Sequence, residues 1–283
     1  MIVERKLRTR RLGLFARYRN YSQVTSWLAD GFMGLAGHFP RLSRSLGSRP
    51  VEFHLKRFPG RLAARLGSSD RSVLHEVFMV GEYDQALAAL GESPVELIVD
   101  LGANVGYTVR LWMAHFPGAR ILAVEPSSGN YAACLLNVQN GPSPGRVTVE
   151  RAFIGESDGV AWLDTAIDEK NFRMVNRAAA GAESAPRLAM PTLLAKAGER
   201  GRVDLLKCDI EGSERELFRD CSAWINQVRC VVVEFHPPYD MQALLADITR
   251  GGAEVEAAWF LSKAETGWGN GTATVRLAQR AGG

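Results

Sequence analysis

The chain has 283 residues, 46% hydrophobic and 23% charged, a balance that suits an ordinary globular protein and excludes disordered, collagen-like and disulfide-scaffold chains. No apolar run approaches the roughly 18 residues that a membrane span needs. The net charge of +3 conceals an asymmetry: residues 1–70 carry 14 Lys and Arg against 4 Asp and Glu, a net of +10, and the rest carries 20 against 27, a net of −7.

Residues 1–47 read as a basic helical extension. Leu7, Leu14, Phe15 and Tyr18, then Val24, Trp27 and Leu28, recur at roughly helical spacing between arginines. Thr9-Arg10-Arg11 suits a twin-arginine signal, but no apolar stretch or small-residue cleavage site follows. A nucleic-acid arm is a second reading, with no recognisable nucleic-acid module around it. A helix that packs on the body of the protein, on a second copy in a homodimer or on a membrane surface is the third.

Val51-Glu52-Phe53-His54-Leu55 alternates as a short strand, Pro59-Gly60 turns the chain, and residues 61–66 return as its hairpin partner. Ser69-Asp70 opens a helix through Val73, Val77 and Phe78 that stops at Gly81. These residues, 51–94, form a cap before the main domain at 95–283. From there apolar strands alternate with amphipathic helices. Strands fall at Leu97-Ile98-Val99, Ile121-Leu122-Ala123-Val124, residues 147–154, residues 203–208 and Val231-Val232-Val233. The first helix carries Val109, Trp112, Met113 and Phe116, and the second Tyr131, Cys134, Leu135 and Val138; Ser213 and Glu216 have capping-box spacing before another. The pattern predicts an α/β fold, a mostly parallel sheet with helices on both faces. Residues 255–261 and 272–277 predict an antiparallel C-terminal edge pair. The four cysteines, Cys134, Cys208, Cys221 and Cys230, lack metal-ligand spacing and read as reduced thiols of a cytoplasmic protein.

Val99-Asp100-Leu101-Gly102-Ala103-Asn104-Val105-Gly106-Tyr107-Thr108 is a strand that turns through two glycines straight into a helix. Gly102 lets backbone pass close to a ligand, Gly106 permits close approach at the helix start, and the helix offers free N–H groups. Open α/β sheets bind nucleotides at such a turn. The spacing lacks the middle glycine that a pyrophosphate needs; a nucleoside with an amino-acid tail does not need it. Glu125 ends the second strand 19 residues after Gly106, where a carboxylate can accept hydrogen bonds from both ribose hydroxyls, or simply cap the helix near Asn130. Lys207 and Asp209 share one strand face at the same sheet edge, either as part of an active site or as an internal ion pair. Glu234 and His236 share a face at the end of the fifth strand, and His236 has the chemistry of a general base. Asp209 or Lys207 could serve instead, and Asp209 with Glu234 could hold a Mg²⁺ ion.

Taken together, these stretches resemble the seven-stranded Rossmann-like methyltransferases that use S-adenosylmethionine, and within them the FkbM-type branch. The resemblance is carried by Gly81-Glu82-Tyr83-Asp84, the D-L-G-A-N-V-G turn, Glu125-Pro126, the stretch Leu206-Lys207-Cys208-Asp209-Ile210-Glu211-Gly212-Ser213-Glu214, and Val233-Glu234-Phe235-His236. It implies a cofactor site of Tyr83, Asp100, Gly102, Ala103, Asn104, Gly106, Tyr107, Thr108, Glu125, Pro126, Asn130, Phe153 and Asp209, with Asp209 near the methionine amine and reacting methyl. It further implies methyl transfer to a hydroxyl of a sugar, a glycosylated molecule or a polyketide-type small molecule. Acceptor specificity is expected in the cap and in an insertion over residues 157–191. Two other readings stay open: an RNA or protein methyltransferase that uses the basic arm, and a non-enzymatic cofactor-binding scaffold.

Overall fold

The computed structural model describes residues 50–55, 58–65, 68–164, 173–175, 182–198, 202–262 and 271–279. The extension expected over residues 1–47 lies outside the described residues. Strands β1 (Pro50–Phe53) and β2 (Leu62–Arg65) pair antiparallel as the expected hairpin. Helix α1 (Asp70–His75) runs into a wider π-turn over Glu76–Val80, which ends at Gly81, and α2 (Asp84–Leu90) completes the cap.

The main domain follows as β3 (Leu97–Leu101), α3 (Tyr107–His115), β4 (Arg120–Val124), α4 (Ser128–Gln139) and β5 (Val147–Glu150). After β6 (Phe153–Gly155), β7 (Gly159–Asp164), β8 (Arg173–Val175), β9 (Ser184–Ala189) and α5 (Met190–Lys196), the chain returns through β10 (Leu205–Cys208), α6 (Glu214–Arg219), β11 (Cys230–Phe235), α7 (Met241–Arg250), β12 (Val255–Ser262) and β13 (Gly271–Leu277). Seven strands form one sheet in the order β12-β13-β11-β10-β3-β4-β5. Five of them are parallel, and β13 lies antiparallel between β11 and β12. The chain leaves β3 toward β4 and later returns on its other side as β10. The order therefore switches between β3 and β10, where open α/β sheets hold ligands at the carboxyl ends of their strands.

The central strands are apolar on both faces because both faces are covered. In β3, Ile98 faces a core shared with the cap and α3, while Leu97, Val99 and Leu101 face the core under α5, α6 and α7. All four cysteines are buried and unpaired, and no helix of the described residues is long and apolar enough to cross a membrane.

One expected strand is divided. Residues 147–154 do not run straight: β5 ends at Glu150, and β6 joins a separate four-stranded sheet of order β6-β9-β7-β8. The polar break is the cause. Arg151 donates to Glu183 Oε1 (2.5 Å) and to the Ser184 carbonyl (3.0 Å), turning the chain toward β9.

Two buried polar side chains fasten the cap to the main domain. Asn137 is fully buried; its amide oxygen accepts the Ala63 N–H (2.7 Å) and its nitrogen donates to the carbonyls of Ala63 (3.1 Å) and Val105 (2.9 Å). Arg110 donates to the carbonyls of Pro59, Arg61 and Asn137. Burial lowers its affinity for a proton to a pKa of about 10, which leaves it charged. Asn137→Ala strands two or three buried backbone groups at once and should cost roughly 2–4 kcal/mol. Urea unfolding monitored by circular dichroism checks it; a midpoint equal to the parent's would contradict the role given to Asn137.

Candidate active site

The turn after β3 is held from both sides. Gly102 and Ala103 donate their N–H groups to the Val124 carbonyl (3.0 and 2.9 Å), joining the turn to the end of β4. Gly102 has φ 74°, and a Cβ there would stand 1.7 Å from the Asp209 carbonyl oxygen. The close neighbour that requires glycine is thus the protein's own backbone, from the turn after β10. At Gly106 (φ 84°) a Cβ would meet the Cys134 sulfur at 2.9 Å, so this glycine lets α4 pack against the start of α3.

Glu125 follows β4 and is 5% exposed. Its Oε2 accepts the Asn104 N–H and its Oε1 the Ser127 N–H, both at 2.9 Å. The helix cap itself is Ser127, whose hydroxyl accepts the Asn130 N–H (3.5 Å), while the Asn130 side chain is a third donor to the Glu125 carboxylate, which keeps part of its accepting capacity for a ligand. Burial raises its pKa to about 7, against the opposing pull of those N–H groups and of Lys207. Beside it, Asn104 holds a left-handed backbone (φ 51°), and its buried Oδ1 has no hydrogen-bond partner. The two face one cleft, which Gly102, Pro126, Asn130 and Phe153 also line. Ile210 and Ser213 line the wall that the turn after β10 supplies, and Met174 comes from β8 of the inserted sheet. An orphaned acceptor, a carboxylate with spare lone pairs and apolar walls fit a nucleoside with vicinal hydroxyls.

Of the residues expected at the cofactor, Gly102, Asn104, Glu125, Pro126, Asn130 and Phe153 line this cleft, while Tyr83, Asp100, Ala103, Gly106, Tyr107, Thr108 and Asp209 are not on its wall. Asp100 is fully buried, accepting from Trp112 Nε1 (2.9 Å) and paired with Lys207 (3.3 Å). The Tyr107 hydroxyl donates to the Ala63 carbonyl (2.9 Å), toward the cap. Ala103 and Thr108 are buried in the turn and the first helical turn. Tyr83 packs edge-on against Trp112 (5.6 Å), and burial together with the charges of Glu82, Asp209, Glu234 and Asp100 holds its hydroxyl protonated. Asp209 opens the turn that carries Ile210 and Ser213.

Lys207 is 2% exposed, and its ammonium lies among the carbonyls of Leu101 (3.2 Å) and Gly102 (2.5 Å) and the carboxylates of Asp100 (3.3 Å) and Asp209 (3.7 Å). Burial opposes its charge, but the two carboxylates outweigh that and raise its pKa above the ordinary value. Such a lysine is a fixed cation, unsuited to the base role considered for it.

The capping box expected at Ser213 and Glu216 is absent; the Ser213 side chain caps nothing. Instead Glu214, fully buried, turns back, and its Oε1 accepts the N–H groups of Ile210 (3.0 Å) and Gly212 (3.2 Å). The same oxygen meets His236 Nδ1 at 3.0 Å, and Glu211 meets Nε2 at 3.1 Å. The two glutamates raise the imidazole pKa to about 11 although burial pulls it down. With both ring nitrogens engaged and the ring charged at neutral pH, the geometry speaks against the expected base. Glu214 and Met174 were absent from the sequence-derived set; the second glutamate of E-G-S-E, opposite a histidine on the next strand, is the signal that could have found the first.

Among the described residues, ligating atoms of Asp209, Glu234 and His236 lie within 4.8 Å of one another. That set does not fit Mg²⁺ well. His236 is consumed by its glutamates, and the Lys207 ammonium stands beside Asp209 where a cation would bind.

Residues 100–255 match the methyltransferase FkbM domain, more than half of the chain. The chain belongs to the FkbM methyltransferase family. It is an S-adenosylmethionine-dependent methyltransferase. No curated protein matches the sequence significantly. Among solved structures, the METTL16 MTase domain is similar over 84% of this chain and 80% of its own, at 12% identity and a TM-score of 0.50, a likeness of fold. The N-terminal domain of human METTL16 in complex with SAH aligns at 13% identity and a TM-score of 0.49, over 86% of this chain and 83% of that one. Precorrin-6y C5,15-methyltransferase from Geobacter metallireducens GS-15 aligns at 13% identity and a TM-score of 0.39, over 68% and 86%.

The two glycines make different predictions. Gly102→Ala meets backbone and a left-handed φ, and should cost roughly 2–4 kcal/mol. Gly106→Ala carries the same left-handed penalty but meets the Cys134 side chain in place of a carbonyl, so Cys134→Ala in the same molecule should recover the steric part of its loss. Thermal melts of the three variants check this; equal losses with no recovery at Gly106 would contradict the packing described.

Proposed function

We propose that this FkbM methyltransferase moves the methyl group of S-adenosylmethionine to a hydroxyl of a small molecule, of the sugar, glycosylated or polyketide type, with residues 95–283 as the catalytic domain and residues 51–94 as its cap. The observation that carries the proposal is the continuity of the cleft. It joins Glu125 and Asn104 at the ends of β3 and β4 to Ile210 and Ser213 of the turn that Asp209 opens after β10. In this reading Glu125 receives the ribose hydroxyls, Asn104 fixes the nucleoside edge, and Phe153 and Met174 cover the base. Bound there, the cofactor supplies an activated methyl on a sulfonium centre, and the protein contributes alignment and exclusion of water.

Asp209 takes the position beside the methyl and accepts the hydroxyl proton, since Lys207 and His236 are held as cations. Its side chain is 23% exposed, whereas that of Lys207 is 2% exposed. Asp209, Glu211 and Glu234 cluster around the turn after β10, next to the cleft wall that Ile210 and Ser213 supply, and acidic surroundings there favour a neutral or cationic acceptor over a phosphate backbone. The RNA reading rests on the basic residues 1–47, and the acidic rim weighs against it.

Isothermal calorimetry with S-adenosylhomocysteine should give binding in the micromolar range, and NAD should give none. Glu125→Ala removes two hydroxyl contacts to a carboxylate and should weaken binding about 100-fold, near 3 kcal/mol. Hydroxyl donors favour the ionised Glu125, so affinity should rise as pH increases from 6 to 8 through its pKa of about 7. Glu125→Gln should flatten that rise. Binding of NAD in place of S-adenosylhomocysteine, or affinity indifferent to Glu125, would contradict the assignment.

A further inference from the structure

His236 poses a hydrogen-bond counting problem with one simple solution. Its Nδ1 lies 3.0 Å from Glu214 Oε1 and its Nε2 lies 3.1 Å from Glu211 Oε2. Ionised carboxylates only accept, and a neutral imidazole offers one N–H and one lone pair. Two carboxylates are served together only when both ring nitrogens carry protons. The lone pair that a general base needs is then missing.

The ring holds a backbone turn that is itself strained. Glu214, fully buried, uses one oxygen to gather the N–H groups of Ile210 and Gly212 as well as His236. Glu211 adopts φ 54° beside Gly212 at φ 98°. A left-handed non-glycine residue is strained and persists where its surroundings over-determine it. Here the surroundings are the His236 ring at the end of β11. The same turn supplies Ile210 and Ser213 to the cleft wall and presses the Asp209 carbonyl against Gly102.

We propose that His236 is a positioning residue: a doubly hydrogen-bonded cation that pins the turn of residues 209–214 to the end of β11 and thereby sets one wall of the cofactor cleft. The inference rests on the cofactor reading above. The charged groups facing the ring are Glu211 and Glu214 from the turn, Asp209 before them and Glu234 from β11, with the Lys207 ammonium on the far side of Asp209. The glutamates of the turn and Asp209 favour the cation, and burial of the ring opposes it.

The roles of base and pin part company without any knowledge of the acceptor. A base touches the acceptor alone, so its loss leaves the cofactor's product bound as before. A pin shapes the cofactor wall. His236→Ala should therefore weaken S-adenosylhomocysteine about 10-fold. His236→Arg, which has forked donors and no lone pair, should stay within about 3-fold of the parent. Nitrogen-15 NMR of the unsubstituted protein gives a direct reading: at pH 8 both ring nitrogens of His236 should carry protons. A neutral ring at pH 8 would overturn the pin, and so would a folded His236→Ala protein that binds S-adenosylhomocysteine as tightly as the parent. Should the arginine variant not fold, the ring protonation and the alanine variant still decide. Failure of the unsubstituted protein to bind S-adenosylhomocysteine would sink the cofactor reading, whereas the NMR result tests the cation itself.

Discussion

The site depends on one buried ammonium. Lys207 ends up with almost no contact with water, and stripping water from such a charge costs several kcal/mol unless the protein replaces it. The replacement comes from both strands flanking the topological switch: the Leu101 and Gly102 carbonyls and Asp100 from β3, and Asp209 just beyond β10. The lysine thus joins the carboxyl ends of the two strands between which the cleft opens. Removing it would leave the fully buried Asp100 charge facing the Trp112 indole N–H without its counter-ion, so lysine and aspartate stand or fall together.

From that junction the constraints spread outward in order. With the strand ends fixed, the Asp209 carbonyl comes so near residue 102 that only glycine fits. The glycine turn then directs the Asn104 N–H at Glu125, which sets the carboxylate at the floor of the cleft. On the other side, the turn after β10 is gathered by Glu214 and pinned by His236. Carboxylates collect at this end because two fixed cations, Lys207 and the His236 ring, offset part of their repulsion. The result is a cleft whose wall carries one carboxylate, Glu125, beside a turn around which the other carboxylates gather.

The strands, the helices between them and the glycine turn were legible because they follow from local pattern. Apolar runs bounded by glycine, such as Leu97-Ile98-Val99, have few alternatives in an alternating chain. The location of the site was legible for the same reason, since the carboxyl edge is fixed once strand order alternates. What escaped was set by long-range partners. The division of residues 147–154 depends on Arg151 meeting Glu183, and the inserted sheet is built from short strands with exposed positions such as Val160. Asp100 reads as a ligand-facing acid at the end of a strand, yet an indole twelve residues on and a lysine from another strand claim it. His236 reads as a base by residue type alone. Its role changes once two glutamates, separated from it by more than twenty residues, occupy both of its nitrogens.

The central claim is that three strand ends, after β3, β4 and β10, act as one cofactor site. Hydrogen–deuterium exchange with and without saturating S-adenosylhomocysteine tests it in a single experiment. Backbone amides of residues 102–106, 125–130 and 210–214 should gain protection together, while the strands beneath them stay unchanged. Protection confined to one of these segments, or centred away from the carboxyl edge of the sheet, would contradict the account.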